Sequence, residues 1–182
     1  MKNPVKLLFS AIFAIILLSC APGGSETDFE YGDISFVCPA GGSVTGTDDY
    51  VYSQIVTVEK DGHSSSGIVL FTLLDNSLDI LEMKQLMQES IEEQGVFRDL
   101  KFFDLPDGNY GRYKCMRYGY TGNIFGLEHE SVVCYFEVGN WICFVSSQQT
   151  TDDRQKNRPG FERLEETFEI ITEATNENAS EI

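Results

Sequence analysis

From Asp33 to Gln148 apolar and polar positions mostly alternate with a period of two, and one stretch breaks to helical spacing. Asp33 to Val37 reads as a short strand, halted by Pro39 and the glycines Gly41 and Gly42. Val51 to Lys60 and Gly67 to Leu74 are rich in β-branched and aromatic residues. The turn Asp61-Gly62-His63-Ser64-Ser65-Ser66 makes them a hairpin. Leu78, Leu81, Met83, Leu86, Met87 and Ile91 then recur at helical spacing, with Asn76 or Ser77 as cap and Gly95 as terminator. Phe97 to Phe103 returns to strand character, and Pro106-Asp107-Gly108-Asn109 reads as a turn. Tyr110 to Thr121, Phe125 to Val138 and Trp141 to Gln148 follow as an antiparallel meander turning at Gly122-Asn123 and Gly139-Asn140. Phe161, Leu164, Phe168 and Ile171 give a last helix its apolar stripe, with Pro159 in its first turn.

A two-residue turn at Gly139-Asn140 sets a register. Val138 then pairs with Trp141, Phe136 with Cys143, and Cys134 with Val145. Cys134 and Cys143 are diagonal in that register, which disfavours a disulfide between them. Trp141, Cys143 and Val145 face one side of the sheet, Ile142 and Phe144 the other, so both faces need cover. The expected fold class is α+β: a central antiparallel sheet of six or seven strands flanked by two main helices.

The N-terminus has a different pattern. Lys2 and Lys6 precede an unbroken apolar run from Leu7 to Leu18, too short to span a bilayer and suited to an export signal. It ends in Leu17-Leu18-Ser19-Cys20, which resembles the bacterial lipoprotein box. That resemblance implies cleavage before Cys20 and lipidation of its sulfur. Ala21 after the cysteine implies transport to the outer membrane of a two-membrane bacterium, on its periplasmic or surface face. The expected domains are a signal peptide over 1–19, lipidated Cys20 with a flexible tether over 20–30, one α+β domain over 31–174 and a disordered acidic tail over 175–182.

Charge narrows the partners. The 182 residues carry 13 basic and 29 acidic side chains, a net charge of −16. Nucleic acid and anionic surfaces are poor partners for such a chain. Arg98, Lys101, Arg112, Lys114 and Arg117 fall close together in sequence, as a local patch or as solvated strand faces. Beyond Cys20, the cysteines Cys38, Cys115, Cys134 and Cys143 allow three pairings, and export permits disulfides without requiring them. No Cys-x-x-Cys is present.

Catalytic chemistry finds little support. The only histidines are His63, at a hairpin tip, and His129, between Glu128 and Glu130 on a strand. Strand neighbours face opposite sides, so Glu-His-Glu does not converge on one metal. Asp48-Asp49, Asp152-Asp153 and Glu165-Glu166 lack the alternating ligands of a calcium loop and read as solvated acidic faces. Tyr110, Tyr118 and Tyr120 alternate on one face with Arg112, Lys114 and Met116, either under a helix or as a partner surface.

Ile34-Ser35-Phe36-Val37-Cys38-Pro39-Ala40-Gly41-Gly42, Trp141 in Gly139-Asn140-Trp141, and Phe168 in Glu166-Thr167-Phe168 resemble landmarks of the PsbP superfamily. That group also holds the DcrB-like lipoproteins and a eukaryotic Ran-binding nucleotide-release factor. The resemblance spans roughly residues 31 to 172 and departs at Gly42, where the superfamily places a tryptophan. It implies a binding or assembly scaffold with no shared catalytic residues.

The leading expectation is a non-catalytic, lipid-anchored binding or assembly module of the cell envelope. Its expected partners are the membrane through Cys20, and an envelope protein or small ligand; no cofactor, metal or nucleic acid is expected. Two alternatives stand beside it. One is a ligand carrier with a pocket between helix and sheet. The other is a small hydrolase or thiol enzyme using Cys38, which requires a depressed thiol pKa.

Overall fold

Alternating side chains need a layer on each side, and the chain builds both. The computed structural model describes residues 24–50, 52–60, 66–76 and 79–171. In chain order the elements are β1 (Thr27–Tyr31), β2 (Ile34–Cys38), β3 (Gly42–Tyr50), β4 (Ser53–Lys60), β5 (Gly67–Asp75) and α1 (Ile80–Glu93). There follow β6 (Arg98–Tyr110), β7 (Tyr113–Ile124), β8 (Leu127–Val138), β9 (Trp141–Thr150), α2 (Arg154–Thr167) and β10 (Glu169–Ile170). Seven strands form an antiparallel sheet in the order β3-β4-β5-β9-β8-β7-β6, and β1-β2-β10 form a small second sheet.

One face of the large sheet carries Val56, Phe71, Leu73, Cys143 and Phe136. It is covered by Ile34 and Phe36 of the small sheet, by Leu164 of α2 and by Phe168 and Ile170 beyond it. Phe71 is the hub, stacked on Phe36 at 5.0 Å and on Phe168 at 4.9 Å. Each such pair adds about 0.5–1.5 kcal/mol beyond the area it buries. The opposite face carries Tyr118, Tyr120, Val133, Ile142 and Phe144, under Met83 and Met87 of α1. Two separate cores result. Both faces are covered as the alternation requires, but a second sheet shares the work that helices alone were expected to do.

The register at Gly139-Asn140 is the expected one: Val138 pairs with Trp141, Phe136 with Cys143 and Cys134 with Val145. Gly95, at φ +63°, closes α1 as a left-handed terminator. Other boundaries moved. The cap of α1 is Asp79, whose carboxylate accepts from the Leu81 and Glu82 amides. Residues Thr27 to Glu30, expected in the tether, form most of β1 and pair with β2. Gly42 to Tyr50, unassigned in the sequence, form edge strand β3.

Pro106 to Asn109 do not turn; they lie inside β6 at an irregularity between Leu105 and Gly108. A bulge admits proline there because it suspends the ladder locally. Gly122-Asn123 pair with His129 and Glu128 inside the sheet, and the chain turns at Phe125-Gly126. A Cβ on Gly122 would stand 2.9 Å from the Phe97 ring, so its smallness serves packing. The last helix begins at Arg154, which places Pro159 in its interior. It ends before Phe168, so Phe168 and Ile170 bury from the extended segment beyond it.

Candidate ligand pocket

Strand β2 ends at Cys38, and the turn Pro39 to Gly42 closes with the Gly42 amide donating to Pro39 O at 2.9 Å. Gly41 holds φ +75°, a left-handed conformation that glycine adopts without strain. This turn lies across from α2. Between them and the paired ends of β4 and β5 is a pocket of about 110 Å³. Its walls are mainly apolar, with Pro39, Val58, Val69, Phe161 and Leu164, and Glu59, Lys60, Lys156 and Asn157 complete the lining.

Asn157 is the fully buried polar residue of this wall. It is 1% exposed, and its Nδ2 donates to Ser66 O at 2.5 Å. Its Oδ1 is buried and has no hydrogen-bond partner. A Cβ on Gly67 would stand 2.9 Å from Asn157 Cγ, so the residue that opens β5 makes room for this amide. Lys60 Nζ donates to the Lys156 carbonyl and ties the end of β4 to α2.

Asp153 fixes the start of α2 beside the pocket. Its Oδ2 accepts from the Ser66 amide at 2.9 Å and from Thr150 Oγ1 at 3.0 Å, and Lys156 Nζ donates to its Oδ1 at 2.9 Å. The Lys156 ammonium, the Ser66 amide and the Thr150 hydroxyl hold this carboxyl down to about 2. Nearby, Glu130 accepts from Arg154 through both carboxylate oxygens and from Gln149 Nε2 at 3.0 Å. The Arg154 bonds, with Gln149 in support, pull its pKa below the usual carboxylate range.

The residues singled out in the sequence are scattered. Cys20, His63 and the acidic tail lie outside the described residues. Cys38, Cys115, Cys134 and Cys143 are all buried and none is in a disulfide. Cys115 and Cys134 lie on adjacent strands and share a hydrogen bond that pushes Cys134 up. The same bond, with Arg117 nearby, lowers Cys115. Burial, with the nearby Cys115 thiol in support, pushes Cys143 well up.

Tyr118 and Tyr120 pack under α1, whereas Tyr110 sits in β6 against Phe71 and Phe168 in the other core. The shared tyrosine face is therefore not formed. Both tyrosine groups are pushed up by desolvation. The five basic residues separate as well. Arg98 pairs with Asn123 at one end of β6, while Lys114 pairs with Asn109 near the other and Arg112 meets Glu169 at 3.4 Å. His129 is half-buried, with desolvation lowering its pKa. No group of three His, Cys, Asp or Glu side chains suited to a metal occurs among the described residues. Asn157, the residue that most distinguishes the pocket, had no sequence signal: Gln155-Lys156-Asn157-Arg158 reads as a solvated helix face.

No protein-family description matches the chain, and no curated protein matches it. Solved structures do share its fold. A variant of the protein Mog1 superposes with a TM-score of 0.51 at 12% identity, over 82% of this chain and 98% of that one. The solution structure of cyanobacterial PsbP from Synechocystis sp. PCC 6803 gives 0.47 at 11% identity, over 85% and 98%. LpqN, involved in cell envelope biogenesis of Mycobacterium tuberculosis, gives 0.45 at 9% identity, over 81% and 91%. The fold assignment rests on the Mog1 superposition, which shows architecture and carries no activity across to this chain.

Proposed function

We propose that this protein is a non-catalytic binding module of the bacterial cell envelope, held to the membrane by lipid on Cys20. The observation that carries the proposal is the leader ending in Leu17-Leu18-Ser19-Cys20, followed after six residues by Thr27 at the start of β1. The distance along the chain from Cys20 to Thr27 is at most about 25 Å, so the anchor keeps the domain against the membrane surface. Two acyl chains give stable retention, at about 0.8 kcal/mol for each buried methylene. No helix among the described residues is long and apolar enough to cross a membrane. The outer membrane, on its periplasmic or surface face, is the proposed destination.

Globomycin treatment or Cys20→Ala is expected to move the protein from the membrane to the soluble fraction. Unchanged membrane retention would rule the anchor out.

A second reading, a ligand carrier, is favoured by one specific observation: a mainly apolar pocket lies between the Pro39–Gly42 turn and α2. A thiol enzyme at Cys38 is less supported, because that side chain is 5% exposed and packs in the core with Phe36 and Phe71.

A further inference from the structure

We infer that the tip of the β7–β8 hairpin, Phe125-Gly126-Leu127, is a second membrane contact. It seats its two apolar side chains among the headgroups and upper acyl chains of a zwitterionic phospholipid bilayer. This rests on the proposed anchor at Cys20 and adds the surface that the anchored domain lays against the lipid.

The strand ladders place this tip at the end where the chain enters the domain. Thr27 pairs with Cys38, beside the Pro39–Gly42 turn. From that turn onward Gly42 pairs with Lys60, Glu59 with Ile68, Gly67 with Gln149 and Thr150 with His129, all at one end of the large sheet. Strands β7 and β8 run past this level to a last pair, Ile124 with Leu127. Four strand spacings, roughly 19 Å, separate β3 from β8. A tether of at most about 25 Å from Cys20 to Thr27 therefore lets the lipid and the tip meet one plane.

The residues at the tip suit lipid better than water. Phe125 is 99% exposed and Leu127 56%. Phe125 also holds φ +51°, where a bulky side chain is strained, and the fold returns no burial for it. An apolar interface supplies that burial, and exposed apolar patches mark such contacts. Tyr50 and Tyr52 are exposed as well, but they lie on the β3–β4 hairpin at the opposite end. Each of them carries a hydroxyl that water can satisfy.

Nearby charges decide which lipid. Arg98 pairs with Asn123, Asp99 follows it, and Glu128 follows Leu127, all three exposed. Lys101 stands further back, opposite Thr121, and Glu92 and Glu93 close α1 just before this end of β6. Arg154 is spent on Glu130, and His129, its pKa lowered by desolvation, is neutral at pH 7. Acids outnumber bases here as in the whole chain, whose net charge is −16, so an anionic surface repels this end. A zwitterionic headgroup offers its phosphate to Arg98 and its ammonium to Glu128 and Asp99. These charges sit one or two residues behind the apex, so shallow insertion buries only the ring and the leucine.

The test uses the full lipidated protein in phosphatidylcholine vesicles, with Trp141→Phe so that one introduced tryptophan reports. Phe125→Trp puts an indole at the tip, and Tyr52→Trp puts one on the far hairpin at an equally open site. Flotation reads the anchor first; quenching by lipid brominated on its upper acyl carbons then reads contact. Phe125→Trp is expected to be quenched at least about three-fold more than Tyr52→Trp, with its emission shifted to the blue. Adding Leu127→Asp to that reporter is expected to lower the quenching at least about two-fold, because a charge beside the apex opposes burial.

A floating protein whose Phe125→Trp indole is quenched no more than that of Tyr52→Trp would overturn this inference and leave the anchor standing. A protein that does not float would remove both. Quenching unchanged by Leu127→Asp would also overturn it. So would a blue shift without quenching that grows with the protein-to-lipid ratio, which would assign the tip to a second copy of this chain.

Discussion

Asp153 joins three segments that are distant in sequence: the start of β5 through Ser66, the end of β9 through Thr150, and α2 through Lys156. Its folded pKa, about 2, lies below the ordinary aspartate value of about 3.9. A depressed folded pKa means stability that is fully present above the unfolded value and lost as pH falls towards the folded one. Thermal melts of the unaltered protein are therefore expected to lose Tm as pH drops from about 5 to about 2, and Asp153→Asn is expected to flatten that limb. Parallel acid limbs for the two proteins would remove Asp153 from the account. The cysteines make a second residue-scale case. Cys115 is lowered by the Cys134 thiol and Arg117, yet it is 4% exposed, and a thiolate must be reached to react. Colorimetric thiol titration at pH 7 is expected to find Cys38, Cys115, Cys134 and Cys143 unreactive in the native protein and all four reactive once it is denatured. A fast native reaction at Cys38 would revive the thiol-enzyme reading.

Among the elements, the β7–β8 hairpin departs furthest from what its residues prefer. Ile124 pairs with Leu127, which leaves Phe125 and Gly126 as a two-residue turn with φ of +51° and +89°. Such turns favour Asn-Gly, because a bulky side chain in the left-handed region costs about 1–2 kcal/mol. Phe125 recovers nothing by burial, being 99% exposed. Phe125→Asn is expected to raise stability by about 1 kcal/mol, read as a higher denaturation midpoint with unchanged slope; a lower midpoint would mean the ring has a folded-state contact. This unfavourable turn also explains why sequence reasoning put the corner at Gly122-Asn123, where the local chemistry is better. The same logic misplaced Pro106 to Asn109, a good turn sequence absorbed by a bulge in β6. Strand β3 was illegible for another reason: at the sheet edge, Gly42 to Tyr50 has no fully buried residue, so alternation has nothing to report. Where burial is deep, pattern sufficed. The β8–β9 register and the central strands β5 and β9 follow from their apolar positions, because a one-residue slip there would turn a whole face into water. The pocket escaped because it depends on a tertiary meeting of Gly67 and Asn157, ninety positions apart, that no local spacing encodes.

At the scale of the whole molecule, the correction to β1 changes how the proposed anchor would orient the domain. Thr27 pairs with Cys38, so the chain enters the domain at the end of the small sheet from which the Pro39–Gly42 turn departs. Arg163 of α2 holds Glu26 there, with Nη2 donating at 2.9 Å. The pocket borders the same turn and the same helix, so the proposed anchor at Cys20 would hold the pocket end towards the lipid. Trp141, the one tryptophan of the chain, marks the opposite end: its Nε1 donates at 2.9 Å to Asp33, just before β2 begins. The five residues of β2 set these ends apart by about 13 Å or more. Energy transfer to dansyl-labelled lipid reads this orientation in vesicles carrying the lipidated protein. Transfer from Trp141 is expected to be weaker than transfer from a tryptophan placed at exposed Ala40 in a Trp141→Phe background. Equal transfer from both positions, or stronger transfer from Trp141, would mean that the domain does not rest on its pocket end, and the pocket would then open to the aqueous side and not to the bilayer.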